Sequence, residues 1–169
     1  WDCEAMIALD DSIFLFTKNW LNGHTNLYAL PAIPGVQVAL PRGSYNTMGL
    51  ITSAVRDPGT GTIALLGHTA VTYSPFVRVL REYTNHHFFS GTIAAHPIVS
   101  PPLQAEAILF HDPTTLIVGS ENTPLNAASL WELQLPTGIA DGQEVALLRL
   151  SPQPAHRQVR VEGRDPDQR

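Results

Sequence analysis

Cysteine occurs once in 169 residues, at Cys3, which excludes an internal disulfide framework and a Cys-rich zinc site. Basic residues are also scarce, ten Lys and Arg against fifteen Asp and Glu, for a formal net charge of −5. Up to residue 148 only Lys18, Arg42, Arg56, Arg78 and Arg81 are basic. Phosphate contacts need clustered Lys or Arg, so no nucleic acid is expected as a partner. No apolar run approaches the ~18 residues that a transmembrane helix requires. Charged residues make up only 15% against 44% hydrophobic, which excludes a charge-rich disordered segment. There is no His-Glu-x-x-His, no Gly-x-Ser-x-Gly elbow and no Gly-rich phosphate loop; Gly59-Thr60-Gly61-Thr62 follows Asp57-Pro58 and reads as a hairpin turn.

Turn formers, by contrast, are plentiful: 14 Pro and 12 Gly argue against a helical bundle. The runs between them repeat. Glu4-Ala5-Met6-Ile7, Asp10, Ile13-Phe14-Leu15-Phe16, Asn19 and Leu27-Tyr28-Ala29-Leu30 return as Glu106-Ala107-Ile108-Leu109, Asp112, Leu116-Ile117-Val118, Asn122 and Leu130-Trp131-Glu132-Leu133. The offset is 102 at the Glu-Ala pair and 103 at Asn and at Leu-aromatic-x-Leu, so one residue is inserted between them. A weaker copy lies halfway, with Gly49–Ala54 in place of the Glu-Ala segment, Thr62–Leu66 as the apolar run, and Phe76–Leu80 alternating like an outer strand.

A period of about 50 residues built from short strands is that of a four-stranded propeller blade. Ile13–Phe16 and Ile63–Leu66 are continuous apolar runs suited to strands buried on both faces. The expected fold is an all-β propeller of which three blades are present, half of a six-bladed ring. The opening residue, Trp1 rather than Met, agrees with a fragment whose other blades lie upstream. The organisation expected is a propeller fragment over 1–137, a linker or last strand over 138–147, and a different unit over 148–169. The net charge changes sign near Arg149.

Two segments carry family resemblances. Trp1–Met6, Leu15–Trp20, Thr25–Pro31, Gly49–Thr52, Phe88-Phe89-Ser90-Gly91 and Ala105–Ile108 resemble, in order, a group of secreted bacterial β-propeller proteins of unassigned activity. The strand starts are also distantly similar to gluconolactonase-like and phytase-like propellers. Leu148–Ala155 with Val159-Arg160-Val161 resembles the opening of a C-terminal sorting domain of the type IX secretion system, although Ser151 and Gln153 replace the usual Tyr and Asn of Tyr-Pro-Asn-Pro-Ala. That resemblance implies the type IX machinery as a partner, and release from the cell or attachment to its outer surface.

First strands of propeller blades line a central channel, so Glu4 and Glu106 are expected to point toward one axis. There they either accept backbone N–H groups and pin the rim, or act as metal ligands in a carboxylate ring for Ca²⁺, which takes six to eight oxygens. Asn19, Glu121, Asn122 and Asp112 stand in turns from which further oxygens could come. In the lactonase-like group a comparable Glu is a metal ligand, but Ile51-Thr52-Ser53 stands where the middle blade would need one. His68 is placed to hydrogen-bond a neighbouring blade or to serve as a general base. His86-His87 reads as a solvated turn. Trp1, Trp20, Trp131, Tyr28 and Tyr73 are candidates for an aromatic binding rim, with Tyr28 and Trp131 as packing residues because they are repeat equivalents.

The functional expectation is a secreted or cell-surface binding module for a glycan or protein ligand. The alternative is a metal-dependent hydrolase of lactonase or phosphoesterase type that uses channel carboxylates. A structural cell-envelope component is the third reading.

Overall fold

A computed structural model describes residues 2–124, 126–136, 148, 149, 151 and 152. Among them the chain is all β, with no helix. Three sheets follow one another along the sequence, each a meander of antiparallel strands. The first sheet holds β1 (Asp2–Leu9), β2 (Ser12–Lys18), β3 (His24–Pro31) and β4 (Leu40–Asn46) in that order. The second holds β5 (Leu50–Arg56), β6 (Ile63–His68), β7 (Pro75–Arg81) and β8 (Thr92–Val99), and the third β9 (Ala105–Asp112), β10 (Thr115–Ser120) and β11 (Ser129–Gln134). Two short segments flank them: β12 (Leu148–Arg149) runs parallel to β8, and β13 (Ser151–Pro152) antiparallel to β11. The rest of the segment expected to begin a sorting domain lies outside the described residues, as does the whole of the 138–147 linker.

Turn chemistry sets the hairpins. Asp10 closes β1–β2 with a left-handed backbone (φ 52°), which Asp tolerates better than branched residues. Asp57 closes β5–β6, its carboxylate accepting from the Thr60 amide (2.9 Å) and hydroxyl (2.6 Å). Asp112 closes β9–β10 by accepting from the amides of Thr114 and Thr115, both at 2.8 Å. In the latter two turns a carboxylate substitutes for backbone partners.

The sheets stack face to face. Ala5, Ile7, Phe14, Phe16, Leu27 and Ala29 of the first sheet meet Ile51, Ile63, Leu65, Phe76 and Leu80 of the second, with Phe88 from the β7–β8 loop. On its other side the second sheet packs Ala64, Leu66, Val77, Val79 and Ile98 against Ala105, Ile108, Leu116, Val118 and Leu133 of the third. The middle sheet is therefore buried on both faces, and its run Ile63–Leu66 is apolar throughout for that reason. The three first strands pack in sequence, β5 lying between β1 and β9.

Two differences from the sequence reading have physical causes. The alternation of Phe76–Leu80 suggests an outer strand, yet β7 is interior and Arg78 is buried. Its guanidinium donates to the Thr47 carbonyl (2.6 Å) and lies over the Phe76 ring at 4.6 Å. The charge breaks the apolar pattern without reaching solvent. The true outer strand of the first sheet, β4, carries Pro41 and Gly43 and almost no buried side chain, so it lacks the alternation that would mark it.

Candidate functional site

The first strand of every sheet is interrupted at the same place. In β1, Cys3 pairs with Thr17 and Ala5 with Phe16, so Glu4 is left over. In β5, Ile51 pairs with Gly67 and Ser53 with Leu66, leaving Thr52. In β9, Ala105 pairs with Ser120 and Ala107 with Gly119, leaving Glu106. A residue left over in a bulge is re-aimed out of the regular pleat, a device common beside functional sites. Register fixes a second set of equivalents: Thr17, Gly67 and Ser120 sit opposite the bulges, so Lys18, His68 and Glu121 follow as the next residues of β2, of β6 and after β10. Each sheet thus brings a pair of chemistry-bearing residues to one end of the stack: Glu4 with Lys18, Thr52 with His68, Glu106 with Glu121.

These pairs interlock across sheets. Lys18 Nζ lies 2.7 Å from Glu4 Oε2, with the lysine side chain buried. The Thr52 hydroxyl donates to the Ala105 carbonyl at 2.5 Å, tying the second sheet to the third. Glu106 reaches across to within hydrogen-bond range of Glu4. Burial pushes the Glu106 carboxyl up to about 7; Lys18 opposes the rise, while the Glu4 and Glu121 carboxylates add to it. Near neutral pH Glu106 therefore carries a proton on a fraction of molecules.

His68 is 1% exposed, and burial lowers its pKa, with Lys18 assisting and the Thr69 carbonyl and Glu4 opposing. Its Nδ1 lies 3.0 Å from the Thr69 carbonyl, which only accepts, so Nδ1 carries the proton and Nε2 presents a lone pair. Nε2 has no hydrogen-bond partner among the described residues and faces Glu106 Oε1 at 3.9 Å. Because the imidazole is neutral, this separation is not an ion pair. The nitrogen is closed off from solvent, so its lone pair is held inside the stack beside the Glu106 carboxyl.

Two partly exposed aromatic rings flank the cluster. Trp20 is 55% exposed, lies under Lys18 Nζ at 5.2 Å, and donates from Nε1 to Asp2 at 3.2 Å. Tyr73 is 38% exposed and its ring centroid stands 5.1 Å from that of His68. Asn19 and Asn122 follow Lys18 and Glu121 directly, on the same end of the stack; the Asn19 side chain accepts from the Leu21 amide at 3.0 Å and so shapes a turn. Trp131 packs against the interface of the second and third sheets. His86, expected in a solvated turn, binds Asp10 at 2.9 Å and packs at a tilt on Phe14, with ring centroids 5.1 Å apart. A cleft of about 190 Å³ at the β6–β7 hairpin, lined by Thr69, Ser74 and Phe76 among others, is smaller than the ~300–1,000 Å³ typical of small-molecule pockets.

The donor set does not suit Ca²⁺. Glu4 already holds an ammonium, the Thr52 hydroxyl is committed to Ala105, and among the described residues no three His, Cys, Asp or Glu side chains are grouped to hold a metal ion. No helix among the described residues is long and apolar enough to cross a membrane. No family model, no curated protein and no solved structure matches the chain.

Proposed function

We propose that the chain is three consecutive blades of a secreted or cell-surface β-propeller, and that it binds a hydroxyl-rich glycan at the end of the stack where Glu4, Lys18, Thr52, His68 and Glu106 converge. The observation that carries the reading is the pairing of this cluster with Trp20 and Tyr73, the two exposed rings held beside Lys18 and His68. Sugar rings offer apolar faces that stack on aromatic side chains, and edges of hydroxyls that both donate and accept. The Glu4 carboxylate and the Glu106 carboxyl, which carries a proton on a fraction of molecules near pH 7, are the more exposed polar groups of the cluster and provide acceptor and donor in adjacent places. The blade reading is supported by three first strands packed in order with bulges at one level. Placement outside the cell rests on the resemblance of the Leu148–Ala155 segment to a type IX sorting domain.

The test is titration of a panel of neutral and acidic oligosaccharides against the wild-type chain, Trp20→Ala and Tyr73→Ala. Both substitutions are at the surface and should leave the melting temperature nearly unchanged while weakening binding about tenfold or more. Equal affinity in all three proteins would overturn the reading. A chelator arm separates the metal-dependent hydrolase alternative: under the binding reading neither affinity nor melting temperature responds to it.

A further inference from the structure

The two outer faces of the stack match the interface that the chain builds inside itself. Residues paired directly across antiparallel strands share a face. In the first sheet, the rows Met6–Leu15–Tyr28 and Ala8–Ile13–Leu30 point away from the second sheet. Their equivalents at offsets 102 and 103 are Ile108–Val118–Trp131 and Phe110–Leu116–Leu133, the rows with which the third sheet packs on the second. Conversely, Ala5–Phe16–Leu27, buried between the first and second sheets, corresponds to Ala107–Gly119–Leu130, which faces outward on the third. Ile7–Phe14–Ala29 corresponds in the same way to the outward Leu109–Ile117–Glu132, where Gln134 bonds the Glu132 carboxylate at 2.8 Å. Met6, Leu109 and Leu130 are all at least half exposed, and contiguous apolar patches of this kind mark interaction sites.

We infer that these faces dock head to tail on a second copy of this chain, the first sheet of one copy on the third sheet of the other, repeating the internal sheet-to-sheet contact. The stoichiometry rests on the propeller reading: rings have typically four to eight blades, and six is the only multiple of three in that range. A heterologous contact that closes after two copies gives a ring, and one that does not close gives a filament.

The experiment is sedimentation equilibrium of the 169-residue chain over a wide concentration range, with Met6→Arg, Leu109→Arg and their equimolar mixture; circular dichroism verifies that each variant keeps its sheet content. The expected result is a two-chain particle for the wild type. Each single variant should dissociate about 100-fold more readily, because an unpaired charge is buried at both junctions. The mixture should recover pairing, since one junction in the mixed particle carries neither substitution. Loss of association in Met6→Arg alone, with Leu109→Arg unaffected, would mean face-to-face pairing and would overturn the inference. A folded monomer at all concentrations would overturn the second copy as occupant and leave the propeller reading standing. Open-ended growth would overturn ring closure and that reading with it.

Discussion

Glu4 and Glu106, 102 positions apart in the chain, are both the extra residue of a bulge in the first strand of their sheets, and the two carboxyls meet across the end of the stack. The meeting has a thermodynamic signature. Glu106 binds its proton more tightly folded, with a pKa of about 7, than unfolded, where 4.5 applies. Its contribution to stability is fully present below the unfolded value and is lost as pH rises through about 7. Replacing Glu106 by Gln removes that loss. The Glu106→Gln protein should melt higher than wild type at pH 8 and nearly equally at pH 4.5, as read by thermal unfolding at both values. A uniform shift at the two pH values would show that burial at Glu106 is not what sets its proton affinity.

Lys18 is the only cation in contact with this carboxyl pair among the described residues. Its removal in Lys18→Met leaves two partly buried carboxyls without a counter-charge, and should cost about 2 kcal/mol at pH 8. The loss should shrink toward pH 5, where Glu106 is protonated. Adding Glu4→Gln to Lys18→Met should restore part of the stability, giving a coupling energy of about 1 kcal/mol in denaturant titrations. Strict additivity would place the pair outside a common network.

Thr52 stands where the repeat has Glu, and its hydroxyl serves a structural end. Thr52→Val keeps the shape but leaves the buried Ala105 carbonyl without its donor, at a cost of about 1–3 kcal/mol in unfolding free energy. Binding at the aromatic rings should persist in the folded protein, which distinguishes this position from Trp20 and Tyr73.

The doubly covered middle sheet should be the last part to open. Leu65→Ala, at a fully buried position, should cost about 3 kcal/mol, within the range for large-to-small changes in cores. Amide exchange in β6 should be slowest of all the described strands, while β4, exposed along nearly its whole length, should exchange early.

How far the sequence revealed this arrangement differs from residue to residue. The repeat was plain because Glu-Ala, Asn and Leu-aromatic-x-Leu recur together, and the Asp-centred turns announce their own chemistry. Glu4 and Glu106 could be paired as equivalents from spacing alone. Lys18 and Glu121 could not, because opposite charges at equivalent positions cancel as a repeat signal. His68 reads as a strand-end residue that bonds a neighbouring blade or acts as a base, but its equivalence to Lys18 is hidden, since the middle sheet has Thr rather than Glu at the bulge. The bulges themselves add one residue to a strand without changing its composition, so only hydrogen-bond register exposes them. Arg78 misled for a complementary reason: a long side chain can travel through the interior to a carbonyl, and hydropathy scores the charge without its destination.

The bulges also alter what kind of object each sheet is. A single extra residue inverts the parity of everything beyond it: Ala105 and Ile108, three positions apart, face the same neighbour, as two residues in an uninterrupted strand cannot. The inversion is carried within each sheet and resolved within it. A whole four-stranded unit can therefore be exchanged for another at its connecting loops, carrying its own end chemistry, without disturbing the phase of its neighbours. Recombination at loops such as 47–49 or 100–104 would shuffle the residues at the end of the stack as cassettes while the packing between sheets stays in step.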